Sequence, residues 1–413
     1  MEQKVSPKGK STLFLIFIIM VMDITGFGLI IPVIPTLLQQ LSNVTVSEAS
    51  KIGSYLAFTF ASVQFICAPI IGNLSDQYGR RPIILASIIG FTFDYMLLAI
   101  APTLPWLFVA RFITGICGAS ITSATAYIAD VSTPETRAKN FGLIGAAFGI
   151  GFILGPTLGG ILGSISTRLP FIVAALISFA NLIWAYFYLP ESLREDLRRP
   201  FDWKRANPMG AFARLRKYPN IIGLLVTIFI LYIGSHAIQS NWSYFTIEKF
   251  HWGEKTIGLS LGMAGLMVGL VQGGLVRWVN PILGDKRSVY FGMILYAFGM
   301  LLFAFASQSW MMFAILIPYC LGGIAGPALQ SILSGSVPPQ EQGEIQGLNT
   351  SIVSLSTIVG PLLMNNVFYL FTKEQTMFYF PGAPFLLASV LFVLASLLAY
   401  RHLSKKPSNN LIL

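Results

Sequence analysis

The sequence predicts an all-α polytopic membrane protein, with twelve transmembrane helices in two pseudo-symmetric bundles of six. Three observations predict it. Of 413 residues, 54% are hydrophobic and only 11% charged, whereas about a quarter of the residues of a soluble domain are charged. A hydrocarbon core about 30 Å thick takes roughly 20 apolar residues per helical crossing, and the chain divides into twelve such runs joined mostly by short polar turns. The halves also repeat: NFGLIGAAFGIGFILGPTLGG sets Gly142 13 residues before Gly155-Pro156, and IQGLNTSIVSLSTIVGPLLMNN sets Gly347 13 residues before Gly360-Pro361.

The runs fall at 12–38, 50–72, 82–101, 105–128, 140–163 and 169–189, then at 220–241, 255–277, 287–306, 309–332, 344–368 and 382–402. The first carries no small-residue cleavage site at its end and reads as a retained span rather than a signal peptide. Between the sixth and seventh lies the one long polar loop, dense in charge and proline. The expected organisation is therefore an N-terminal bundle at 1–189, a cytoplasmic linker at 190–219 and a C-terminal bundle at 220–413. TGICGAS (Gly115, Gly118) in span four is answered by LGGIAGPA (Gly323, Gly326) in span ten. Two related bundles of this kind are the architecture of many secondary transporters, which bind cargo near the bilayer midplane.

The net charge of +10 does not require a nucleic-acid partner. Of the 27 Lys and Arg, 21 fall in alternate loops on one side of a twelve-span topology and five on the other, with Arg111 inside a span. That asymmetry is the positive-inside pattern and places both termini in the cytoplasm. Cys67, Cys117 and Cys320 lie singly in apolar runs, without metal-ligand spacing, and read as small packing residues. No nucleotide-binding loop or nucleophile triad stands out, so neither enzyme chemistry nor a cofactor is expected.

Charged groups inside the spans carry the functional signal. Asp23 and Asp94 each lie about eleven residues from the inner end of a span, roughly 16 Å deep at 1.5 Å per residue. Acids at that depth face a cavity as proton carriers or as partners of a cationic cargo; the alternative is a protonated acid making one hydrogen bond between helices. Arg111 favours a polar cavity, unless it snorkels to the outer face. Gln64, His236, Gln239, Asn241, Trp242, Phe245 and Gln330 are candidates to line the cavity, with aromatic faces for a planar ligand; for His236, helix packing is an equal reading.

GNLSDQYGRRP, between spans two and three, offers Gly72 and Gly79 for tight backbone approach, Asp76 as a cap or ion-pair acceptor, and Arg80 and Arg81 as guanidinium forks. It reads either as a topology-fixing loop or as a latch that holds one conformation closed. Asp130, at the inner end of span four, reads as an ion-pair residue. Gly145, Gly149, Gly151, Gly155, Gly159 and Gly160 recur around Pro156 at helical spacing, which allows close helix approach and a bend.

GNLSDQYGRRP resembles the inner-loop signature of the major facilitator superfamily. LFVARFITGICGASITSATAYIAD resembles its arginine-and-glycine motif, and GFILGPTLGG the span-five signature of its antiporters. MDITGFGLIIPVIPTLL and FDYMLLA narrow the resemblance to the twelve-span drug:proton antiporters and, within them, to the tetracycline efflux proteins. The second half agrees at QSNWSYFTIEKFHW, GGIAGPALQSILS and IVGPLL. The resemblance implies the major facilitator fold and export of a small organic molecule, cationic or metal-chelated, in exchange for protons across the bacterial inner membrane. It assigns Asp23, Asp94 and Arg111 to proton or cargo handling, and Gly72, Asp76, Gly79, Arg80, Arg81 and Asp130 to the inner gate. To Gly151, Gly155, Pro156, Gly159 and Gly160 it gives the antiporter motif, which keeps span five sealed against proton leak. Such exporters carry a further acid in span nine, where Tyr296 stands here; Glu341 and Glu344 sit only at the edge of the second bundle's spans. Proton chemistry is thus expected mainly in the first half, and the alternatives are an exporter of an endogenous metabolite or siderophore, a proton-driven importer, or a non-transporting receptor.

Overall fold

The structure, a computed structural model, describes residues 7–118, 120–203, 206–207, 210, 214–218, 221–338 and 341–403. Lys4, Lys204, Arg205, Lys405 and Lys406, which contribute to the charge asymmetry, lie outside them. Twelve described helices are long and apolar enough to cross a membrane: Thr12–Ile30, Val46–Tyr78, Arg80–Ile100, Leu104–Asp130, Lys139–Gly163, Leu169–Tyr188, Ile222–Gln239, Glu254–Leu283, Asp285–Phe305, Ser309–Gly335, Gln342–Thr372 and Ala383–Leu403. They are numbered here as spans one to twelve. The described residues contain no strand.

Two expected spans break where the chain dictates. The run 12–38 is not one helix: it turns at residues 31–33 and resumes as Ile34–Ser42. Pro32 has no N–H for the carbonyl of Gly28, and its ring crowds the preceding turn. Span four bends at Gly118, which ends the helix Leu104–Cys117 with its N–H on the Thr114 carbonyl at 2.6 Å. Span ten is interrupted by a 3₁₀ turn at Gly322–Ile324, which holds Gly323, the partner of Gly115 in the repeat, rather than Gly326, the partner of Gly118. Span eight carries a π-helical turn at Val271–Leu275.

Two helix ends in the first unit are closed by side chains from Thr45, Glu48 and Arg168. Thr45 and Glu48 form a reciprocal capping box at the start of span two, satisfying two otherwise orphaned donors. Arg168 donates 2.7 Å hydrogen bonds to the carbonyls of Leu98 and Ala101, a cation placed where the dipole of span three favours one.

The chain divides into two compact units, residues 1–210 with 246–266, and residues 211–245 with 267–413. The first unit buries Ile16, Ile19, Met20 and Ile24 of span one against Ile84 and Ile88 of span three and Tyr127 and Ile128 of span four. Residues 246–266 join this unit because glycine meets glycine. A Cβ on Gly160 of span five would lie 2.8 Å from the Cα of Gly258. In lipid there is no hydrophobic drive between helices, so backbone approach of this kind is what packs them.

The other edge of span five meets span one. Cβ atoms on Gly151 and Gly155 would collide with Ile24 and with the Cα of Gly28, and one on Gly159 with the Leu29 carbonyl. For Gly145 and Gly149 the close-approach expectation is corrected, since nothing lies within 4 Å of either position.

Candidate functional site

Asp94 on span three and Arg111 on span four form an ion pair inside the first unit. One guanidinium nitrogen, Nη2, donates to both carboxylate oxygens, at 2.7 Å and 3.0 Å. Asp94 is fully buried and Arg111 is 8% exposed, so the arginine does not snorkel. Two ions out of water cost several kcal/mol each, which their mutual attraction must offset. The Arg111 Nε, also buried, has no hydrogen-bond partner.

Asp23 on span one is held from span six. Asn181 donates to the Asp23 Oδ1 at 2.8 Å and to the Ile19 carbonyl at 3.2 Å. Asp23 and Gln64 line one cavity of about 150 Å³ with Tyr95, Thr114 and the rings of Phe27, Phe60, Phe91, Phe148 and Phe152. Gln64 is fixed there by a 3.0 Å hydrogen bond to the Gly118 carbonyl. Ligand pockets run to about 300–1,000 Å³, so this volume encloses a fragment of a drug-sized molecule. The cavity is aromatic with one acid and one amide, a wall suited to a flat polycyclic ligand.

In the second unit two expectations are corrected. Trp242 and Phe245 are not cavity walls: they are buried in an aromatic cluster, with Trp242 5.2 Å from Phe303 and Phe245 4.7 Å from Phe385. Edge-to-face rings at these separations are core packing. His236 is a packing histidine, its ring against Gly360, where any Cβ would collide with it. Asn241 donates to the Met364 carbonyl at 3.5 Å and Gln239 is exposed. Gln330 belongs to a chain of amides between spans ten and eleven: it donates to Gln346 at 2.5 Å and accepts from Asn349 at 3.2 Å. Tyr296, at the position where an acid is expected, packs on Tyr319 and Phe392 at 5.0 Å and 5.4 Å.

The expected loop at GNLSDQYGRRP is corrected to the facing ends of two helices, with Gly79 alone between span two, which ends at Tyr78, and span three, which starts at Arg80; an ion network joins them. Arg80 pairs with Asp76 at 2.6 Å and with Asp130 at 3.1 Å, and donates to Ser75 at 3.0 Å. Gly79 has φ of +105°, open to glycine alone without strain. A Cβ there would also strike the carboxylate of Glu191. Gly72, by contrast, meets only a methyl of Thr122 at 3.9 Å. Arg81 reaches the Tyr186 carbonyl at 2.6 Å. In the second unit Lys217, before span seven, pairs with Glu341 and Glu344 at the start of span eleven, at 3.1 Å and 3.3 Å, and hydrogen bonding to Lys217 holds the Glu341 carboxyl below its ordinary range.

Sequence reasoning missed Glu191. Its Oε1 accepts from the Arg80 N–H at 2.9 Å and its Oε2 from the Arg81 N–H at 3.1 Å, and Oε1 also takes the N–H groups of Ser192 and Leu193. It thereby caps the start of span three, where the helix dipole favours an anion. Its only signal was an acid following Pro190 among many linker charges. Glu191→Ala is expected to lower stability by about 1–2 kcal/mol, read as a lower midpoint of thermal unfolding in detergent. Asp76→Asn at a half-exposed pair should cost about 0–1 kcal/mol. Equal midpoints for the two variants would remove Glu191 as the cap.

Twelve spans, a duplicated glycine pattern and a buried ion pair beside a polar-aromatic cavity define a secondary transporter. The family model described as Major Facilitator Superfamily matches residues 16–284 and 224–411, and the chain belongs to that superfamily. It is similar to the tetracycline resistance protein of class C from Escherichia coli, 38% identical over 87% of this chain and 90% of the relative. The class H protein of Pasteurella multocida is 34% identical over 95% of this chain and 97% of its own length. Among solved structures, the human organic anion transporter MFSD10 (TETRAN) superposes with a TM-score of 0.72 at 23% identity, covering 95% of this chain and all of that one. A bacterial homologue of the lysosomal transporter Spinster, inward-facing and unoccupied, reaches 0.77 at 14% identity over 98% of this chain.

Proposed function

We propose that this protein is a proton-coupled exporter of a small, flat organic molecule of the tetracycline class, a substrate/proton antiporter working by alternating access in a bacterial inner membrane. The observation that carries the reading is the buried Asp94–Arg111 pair beside a cavity lined by Asp23 and aromatic rings. The similarity to tetracycline resistance proteins supports it. The endogenous-metabolite alternative rests on Tyr296 alone and is not favoured.

In this reading Asp23 and Asp94 are the groups that exchange protons or meet a cationic or chelated cargo, and Arg111 competes for the Asp94 carboxylate. Binding of cargo at the cavity releases a proton, and reopening to the other face lets the proton return. One charge moving through 100 mV supplies about 2.3 kcal/mol. The excess of Lys and Arg in alternate loops orients both termini toward the cytoplasm. The network around Arg80 and Glu191 then sits on that face as the inner latch.

Purified protein in proteoliposomes with an imposed pH gradient tests this. Tetracycline with magnesium is expected to accumulate only when the gradient is present and to release protons on binding. A broad panel of planar and cationic compounds, tetracycline included, that gives neither response would overturn it.

A further inference from the structure

Asn181 is fully buried inside span six, and its amide carbonyl Oδ1 has no hydrogen-bond partner. Its other end is spent twice: Nδ2 donates to Asp23 and to the carbonyl of Ile19, one helical turn earlier on span one. The amide therefore clamps the very turn that carries the acid. A packing amide would leave no acceptor orphaned next to a carboxyl, because a buried unpaired carbonyl is costly. Leucine, with the same branched skeleton, would occupy the site in this apolar span without that cost.

The two ends of the amide match the two states of a carboxyl. An ionised carboxylate only accepts, and Nδ2 donates to it in the arrangement described. A protonated carboxyl also donates, and the one amide atom able to receive that hydrogen is the unpaired Oδ1. We infer that Asn181 is the positioning residue for Asp23, an amide that serves the ionised acid through Nδ2 and the protonated acid through Oδ1. Loading breaks one O–H bond of a hydronium ion in the cavity and forms one O–H bond on an Asp23 oxygen, leaving water; unloading reverses both changes. The inference rests on the proposed proton-coupled export.

The groups facing Asp23 are few. Tyr95 of span three and Gln64 of span two line the same cavity as Asp23, and the next residue to Tyr95, Asp94, is already paired with Arg111. Span five contributes Phe148 and Phe152 to the same cavity and span four contributes Thr114 and Ala124, none of them charged. Asn181 is thus the group from span six through which the ionisation of Asp23 is set.

The test is the titration of Asp23 itself, followed by difference infrared spectroscopy in proteoliposomes, with the band assigned by its loss in Asp23→Asn. Asn181→Leu removes a partner from both forms, but the hydrogen bond to the ionised form is charge-assisted and about twice as strong as the neutral one, so the midpoint is expected to rise by about one pH unit. Asn181→Gln, which keeps both ends of the amide, should return the midpoint toward that of the native protein. The pH profile of gradient-driven tetracycline transport should move in the same direction. A midpoint that is the same in Asn181→Leu as in the native protein, or that Asn181→Gln displaces as far as Asn181→Leu does, overturns the inference. If Asn181→Leu fails to insert, Asn181→Ala carries the same comparison. Because the band is read without cargo, loss of transport in the native protein would defeat the export reading while leaving the titration to decide the role of Asn181.

Discussion

Asp94→Leu is expected to lose about 3–5 kcal/mol of stability and all gradient-driven transport, while Arg111→Leu at the other end of the pair loses distinctly less stability. The asymmetry comes from what each survivor can do. A carboxyl left alone in a buried site takes up a proton and becomes neutral. A guanidinium cannot give one up, and the Arg111 Nε already lacks a partner. Asp94→Asn sits between them: the amide oxygen still accepts from Nη2, so the protein should fold and insert, yet its neutral side chain has no proton to exchange. Thermal unfolding of the four proteins in detergent, with transport in proteoliposomes, separates the arms. The double variant Asp94→Leu/Arg111→Leu should recover most of the stability and none of the transport, as expected when the pair's energy is shared. Equal destabilisation by the two leucine singles would mean that the pair is open to water. Native transport by Asp94→Asn would remove Asp94 from proton coupling.

Gly155→Ala is expected to destabilise by about 1–3 kcal/mol, whereas Gly149→Ala, six residues earlier on the same helix, should fall within about 0.5 kcal/mol of the native protein. The added methyl group at 155 would lie 2.7 Å from the Cα of Gly28 and 2.8 Å from the Thr25 carbonyl, both backbone atoms that cannot swing aside. At 149 it meets nothing within 4 Å, and alanine is the better helix former by about 1 kcal/mol. Forcing spans one and five apart should also admit protons, so Gly155→Ala liposomes are expected to dissipate an imposed pH gradient faster than native ones without cargo. If both alanines shift the unfolding midpoint alike, the contact with span one is not what the glycine provides.

These two contrasts show where sequence reading succeeds. Asp23, Asp94 and Arg111 were legible because a charge inside an apolar run is rare enough to stand out against lipid-facing residues. That Asp94 meets Arg111 was not, since the two lie 17 residues apart on separate spans and only helix rotation and register bring them together. Gly151, Gly155 and Gly159 share one edge of span five and Gly160 another, while Gly145 and Gly149 face no neighbour; spacing identified the stripe without saying which members touched anything. Trp242 and Phe245 misled because aromatic residues make up 13% of the chain, so no single ring signals whether it faces a ligand or other rings. Glu191 hid in a linker crowded with charge, and Asn181 in an apolar run whose acids drew attention first.

By itself the sequence determined the number of spans, the duplication of the halves and the presence of buried acids, because those follow from hydropathy, spacing and the cost of charge in lipid, all local properties of the chain. The tertiary structure alone decided the partners: Arg111 for Asp94, Asn181 for Asp23, Glu191 for the start of span three, Gly258 for Gly160. Pairing of this kind depends on which faces of separate helices meet, and a side chain's hydrogen-bonding capacity says that it needs a partner without saying which one it finds.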